Sequence, residues 1–97
     1  MFIVLLEYKV PLDSVDKYLE AHRLFLNKWY QEKIFIFSGR KIPRTGGVIL
    51  ASGVRREALE AILAQDPFLI NKIAEYQIIE FQLTRSCQEF ESLLDVE

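Results

Sequence analysis

The chain holds one histidine, His22, and one cysteine, Cys87. His22 stands among Leu19, Phe25, Leu26 and Trp29, which recur at helical spacing. It therefore projects from the middle of an apolar helix face, away from bulk water. A buried imidazole is costly unless its nitrogens find partners. A backbone carbonyl would satisfy one, making His22 a core residue. A carboxylate would do so too, and Asp66 is the candidate. Asp66 precedes Pro67-Phe68, where its plainest role is a turn or a helix cap. If both helices cover one face of a sheet, the Asp66 turn can approach the middle of the first helix. A carboxylate bonded to one ring nitrogen fixes the tautomer and leaves the other nitrogen free as a general base. That is two-thirds of a triad's logic, without the nucleophile.

Ser38-Gly39-Arg40 is a second candidate segment. Ser38 offers a hydroxyl, and Gly39 permits close approach of a ligand or backbone. The same residues also suit a bulge and a hairpin exit. Arg40, Lys41 and Arg44 put three cations in one loop, which can attract a small anion or simply be solvated. Gly46-Gly47 is a poor phosphate cradle, because a strand and not a helix follows it. Phe25, Trp29 and Tyr30 read as core. Cys87 has no neighbouring base and reads as an inert thiol.

The elements that would hold these residues alternate. Residues 2–10 are β-branched and aromatic without a breaker, which predicts a strand ended by Pro11. Asp13 or Ser14 is suited to cap a helix running from Val15 to about Gln31. Residues 34–38 predict a second strand and residues 48–51 a third, paired as a hairpin. A second helix is expected over 55–64, with Ala58, Leu59, Ile62 and Leu63 inward. A fourth strand is expected over 75–84, then a short helix through Phe90, Leu93 and Leu94. The order β-α-β-β-α-β, with both helices on one face of an antiparallel sheet, is the ferredoxin-like α+β arrangement. One unit over residues 1–97 is expected, with a core to about residue 84 and a tail beyond.

Both sheet faces are apolar in this pattern. Phe2, Val4 and Leu6 oppose Ile3 and Leu5; Ile34 and Ile36 oppose Phe35 and Phe37; Tyr76 and Ile78 oppose Ile79 and Phe81. An antiparallel sheet with one wet face should instead alternate apolar and polar residues. Two helices cover only one face. The other is expected to meet a second copy of the chain as a homodimer, or to be covered by the tail.

Composition narrows the function classes. The chain has 97 residues, 51% hydrophobic and 27% charged. Its 12 Lys and Arg against 14 Asp and Glu leave a formal charge of −2, with no cationic excess for nucleic acid. The run from Met1 to Leu6 is far short of the roughly 20 residues of a membrane span, and no basic segment marks a signal peptide. Neither a membrane nor nucleic acid is expected as a partner. One cysteine and one histidine exclude an internal disulfide and most zinc sites. No metal or cofactor is expected, and the location expected is cytoplasmic.

Several short segments recur together in a known order: Phe2-Ile3-Val4-Leu5-Leu6, His22-Arg23-Leu24, Ser38-Gly39, Gly46-Gly47-Val48-Ile49-Leu50, Asp66-Pro67-Phe68, and Tyr76 to Phe81. In these, over most of residues 1–83, the chain resembles the YciI-like (YCII-related) family. The resemblance implies a ferredoxin-like fold, paired through its sheets into a dimeric α+β barrel. It also implies an active site on a His–Asp pair, matched here by His22 and Asp66, with the family's Ser-Gly segment matched by Ser38 and Gly39. One class of similar proteins eliminates chloride from a hydroxylated, chlorinated aromatic ring. This chain departs from the pattern where Arg40 replaces a frequent proline and where the loop from Lys41 to Thr45 is short. Both changes fall at the mouth of the expected pocket, so a relative's substrate does not carry over.

The reading that results is a cofactor-independent enzyme. His22 is the base, Asp66 its orienting partner, Ser38 and Gly39 ligand contacts, and Arg40 an electrostatic attractor for a small organic acid. The rival is a non-enzymatic dimeric binding or accessory module, in which the polar pair is only a satisfied buried bond. A heme or oxygen-using relative is disfavoured, since His22 would be the sole histidine ligand. A catalytic His22 should leave one ring nitrogen open to a cavity, and a structural one should not.

Overall fold

The computed structural model describes residues 1–94. Strand β1 (Phe2–Tyr8) is followed by helices α1 (Leu12–Lys17) and α2 (Leu19–Gln31), then strands β2 (Phe35–Arg40) and β3 (Gly46–Ala51). Helices α3 (Arg56–Leu63) and α4 (Pro67–Ile70) lead to strand β4 (Ala74–Glu80) and a 3-10 turn at Gln88–Leu93. The four strands form one antiparallel sheet in the order β2-β3-β1-β4. That order is the ferredoxin-like one expected.

Directly opposed residues share a sheet face. Phe2, Val4 and Leu6 lie opposite Ala51, Ile49 and Gly47, and this face is buried against the helices. Val15, Phe25, Leu59, Ile62, Leu63 and Phe68 complete the core from the helical side. Ala58, expected inward, is exposed. The α3 stripe is narrower than expected, and its buried residues are Leu59, Ile62 and Leu63.

Pairing partners set the strand ends. Phe2 is the first residue of β1 and pairs with Glu80, so β4 stops there and not at Thr84. Phe81 makes one further bond to the Met1 carbonyl and then leaves the sheet. Tyr8, the last residue of β1, pairs with Ala74. The first helix is broken at Tyr18, which has φ −108° and ψ 3°. Tyr18 closes α1 by an amide bond to Val15 and opens α2 by accepting the His22 amide. Neither Asp13 nor Ser14 caps α1. Pro11 holds the cap position, and its carbonyl accepts the amides of Ser14 and Val15.

One irregularity carries the largest consequence. Phe35 pairs with Ala51, yet Phe37 pairs with Leu50, so Ile36 is an extra residue in β2. Such a bulge inverts the alternation beyond it. Phe35 faces the helices, whereas Phe37, expected on the same face, looks outward and is exposed. Ser38 and Arg40 then fall opposite Ile49 and Gly47, on the helix-covered face.

Among the described residues no helix is long and apolar enough to cross a membrane.

Two glycines are required for different reasons. A Cβ on Gly46 would overlap the Leu6 carbonyl of the neighbouring strand, while Gly53 sits at φ +83° with open space around it. Gly46→Ala should therefore lose about 3 kcal/mol or more of stability by overpacking backbone. Gly53→Ala should lose only about 1–2 kcal/mol, the cost of the left-handed conformation. Urea unfolding of the two variants checks the ranking.

Candidate functional site

Several parts of the fold border one cavity of about 210 Å³. Helix α2 contributes His22 and Arg23, and the part of β2 beyond its bulge contributes Ser38 and Arg40. The β2–β3 loop adds Arg44, and α4 adds Phe68. Leu6 and Tyr8 of β1 form part of the floor.

Asp66 lies behind this wall, not in it. It is fully buried and caps α4, with Pro67 at the first helical position. Aspartate followed by proline is a favoured helix start, since proline has no amide to leave unpaired there. Asp66 Oδ1 accepts the Phe68 amide at 2.9 Å and also the His22 ring at Nδ1, again at 2.9 Å. A carboxylate can only accept, so His22 donates from Nδ1–H. In the neutral ring Nε2 is then the bare nitrogen. It makes no hydrogen bond among the described residues, and the ring borders the cavity. Phe68 stacks on the imidazole with centroids 4.0 Å apart and planes 5° apart. The same Asp-Pro-Phe turn thus supplies the acceptor that orients the ring and the surface on which it lies.

Ser38 and Arg40 both reach the cavity because of the Ile36 bulge. The Ser38 hydroxyl is hydrogen-bonded to the Tyr30 hydroxyl. Tyr30, expected only as core, thereby holds the serine in place; its spacing of eight from His22 on one helix face was the available signal. Gly39 borders the cavity, but a Cβ there would meet nothing, so no backbone in the chain requires it. Arg40 is exposed. Arg44 is the better fixed cation: its Nη2 donates to Asp16 Oδ1 at 2.6 Å. That hydrogen bond, with a smaller contribution from the neighbouring Tyr8 oxygen, pushes the guanidinium above its already high range. Cys87 is exposed in the tail, and among the described residues His22 is the one imidazole bordering the cavity.

The fold and site define a class: a ferredoxin-like α+β chain with a buried His–Asp pair at one small cavity. The family follows from the sequence comparison. The chain belongs to the YCII-related domain family, whose model matches residues 1–82. No curated protein matches it. Among solved structures it is similar to the 5-chloro-2-hydroxyhydroquinone dehydrochlorinase TftG from Burkholderia phenoliruptrix AC1100, in complex with 2,5-dihydroxybenzoquinone. The identity is 12% and the TM-score 0.70, covering 87% of this chain and 96% of that one. At this identity the likeness establishes a shared fold.

The bonding pattern predicts a measurable tautomer. Nitrogen-15 NMR of wild-type protein should show neutral His22 protonated at Nδ1, with Nε2 bare. Asp66→Ala should shift the population toward the Nε2–H form. It should also lower stability by about 1–3 kcal/mol, from the lost cap and the unpaired ring nitrogen. A wild-type ring protonated at Nε2 would contradict the assignment.

Proposed function

We propose that this chain is a cofactor-independent enzyme in which the His22–Asp66 dyad moves a proton on a small aromatic or enolisable organic acid. The observation that carries this reading is the unequal state of the two ring nitrogens. One is bonded to a fully buried carboxylate, and the other is unbonded at a cavity. The rival binding module would suit a histidine with both nitrogens occupied.

The chemistry starts at Nε2, which takes a proton from a carbon or hydroxyl of the bound acid. The imidazolium that forms is held by Asp66 Oδ1, an interaction strengthened by the low local dielectric. Phe68 and the Asp66 bond together prevent the ring from turning. The proton then returns to a leaving group or to another ring position. Elimination, isomerisation and hydrolysis share that first abstraction. Ser38 and the Gly39 amide are the ligand contacts in this reading, and Arg40 draws the anion in.

The cavity volume suits one substituted ring, since a cavity of about 150 Å³ already holds benzene. The solved neighbour, whose name describes dehydrochlorination of a hydroxyhydroquinone, supports a ring substrate of that kind.

The dyad is tested by incubating protein in D₂O with single-ring enolisable acids and chlorinated hydroquinones, following deuterium exchange and chloride release. His22→Gln should reduce the rate roughly a hundredfold or more. Exchange that survives this substitution, or no exchange across the panel, would end the proton-transfer reading.

The same reading includes a homodimer. Ile3, Leu5, Val48 and Leu50 are half-buried on the outer sheet face, and Phe37 and Ile79 are 51% and 42% exposed there. Among the described residues the tail borders one end of this face, where Phe90 and Leu93 line an apolar pocket with Phe37 and Leu50. Sedimentation at micromolar concentration should give twice the 11.4 kDa chain mass, and Ile79→Lys should shift it toward monomer. A wild-type monomer would rule the dimer out.

A further inference from the structure

The cavity is electrostatically one-sided. Acidic residues outnumber basic ones in the chain, 14 to 12. Yet among the described residues the cavity wall carries Arg23, Arg40, Arg44 and His22 and no carboxylate, because Asp66 is shut behind the imidazole. A concave site lined by one sign of charge concentrates the opposite sign.

The three arginines differ in what holds them. Arg23 and Arg40 are exposed and make no hydrogen bond or ion pair among the described residues. Arg44 is only 24% exposed in its side chain and is tied to Asp16 through Nη2. Its Nε is closed off from solvent and donates to no acceptor. A guanidinium presents its N–H groups in a rigid plane that matches a carboxylate. With Nη2 directed to Asp16, the plane is set, and Arg44 borders the cavity in that fixed orientation.

We infer that Arg44, not Arg40, is the specificity-determining anchor for the ligand, and that the ligand is a single-ring carboxylate. Its carboxylate pairs with Arg44, and its ring carries the reacting position toward His22 Nε2. Asp16 is a positioning residue that acts through Arg44. This rests on the proposed function only in taking the cavity as the ligand site.

Two probes of one shape and different charge test it: 2,5-dihydroxybenzoate and the neutral 2,5-dihydroxybenzamide. Binding is read by NMR titration of labelled protein, without turnover. The acid should bind wild type more tightly than the amide. Arg44→Gln should weaken acid binding about ten- to a hundredfold, the range of a charge-assisted hydrogen bond, and leave amide binding unchanged. Arg44→Lys should recover part of the loss, since it keeps the charge without the planar fork, and it carries the comparison if Arg44→Gln fails to fold. Asp16→Asn should weaken the acid less than Arg44→Gln does and lower the heteronuclear NOE of the Arg44 Nε–H.

Equal binding of acid and amide to wild type would overturn the inference. So would no binding of either at millimolar concentration, or a larger loss from Arg40→Gln than from Arg44→Gln. Arg44-dependent acid binding without any proton exchange would keep this inference and end the proton-transfer reading. Exchange with Arg44-independent binding would do the opposite.

Discussion

A single carboxylate oxygen joins the parts of this site. Asp66 Oδ1 accepts the His22 ring from α2 and the Phe68 amide from the first turn of α4. Residues 44 apart in sequence are thereby held at hydrogen-bond distance, and a buried charge is given two donors. A buried carboxylate with fewer would be expensive. Phe68, whose amide is one of those donors, lays its ring flat against the imidazole. Capping a four-residue helix and orienting the His22 ring are therefore one arrangement. Loss of the carboxylate would disturb both together, so its effect on helix α4 and on the ring cannot be separated by deleting it.

The sheet meets that arrangement through its least regular strand. Regular alternation from Phe35 would have turned Ser38 and Arg40 outward. The extra residue at Ile36 brings them onto the helix-covered face, in line with Val4 and Leu6 of β1. It also turns Phe37 out onto the opposite face. One irregularity thus adds polar groups to the cavity and an aromatic to the outer apolar surface. Gly46 lets β3 pass closely beside Leu6 at the cavity floor, where any side chain would overlap backbone. The bulge lies at the Ala51 end of β3 and Gly46 at its other end, and the strand ends between Ser38 and Gly47 border the cavity.

Much of this was legible in the residues. The order of strands and helices follows from β-branched runs and helical spacing, which report burial directly. Asp66-Pro67-Phe68 announces a helix start, and the apolar surroundings of His22 announce that it points inward. Their pairing followed once the topology put both helices on one face. The bulge was not legible, because Ile34-Phe35-Ile36-Phe37 is apolar at every position and carries no sign of which residue is extra. Nor was the break at Tyr18, since a 3-10 closure leaves the apolar spacing nearly intact. The cap at Pro11 was hidden by Asp13 and Ser14, better cap formers two and three residues on. Arg44 was visible only as one of three loop cations, and what separates it from Arg40 is a bond to Asp16, 28 residues away.

That bond shows how a chain close to neutral can keep a cationic cavity. Charge balance is a property of the whole surface, whereas the potential in a cavity depends on which charges border it. Asp16 lies outside the wall and bonds Arg44 there, while Asp66 lies outside it and bonds His22. Each acid fixes the direction of a donor or base without presenting its own charge to a ligand. The two acids stand on different elements, one on α1 and one at the start of α4, so neither orientation depends on the other. The ionic groups bordering the cavity are then arginines, set among apolar residues and one imidazole with a bare nitrogen. The groups that set the charge of the wall and the group with a bare nitrogen are therefore oriented independently.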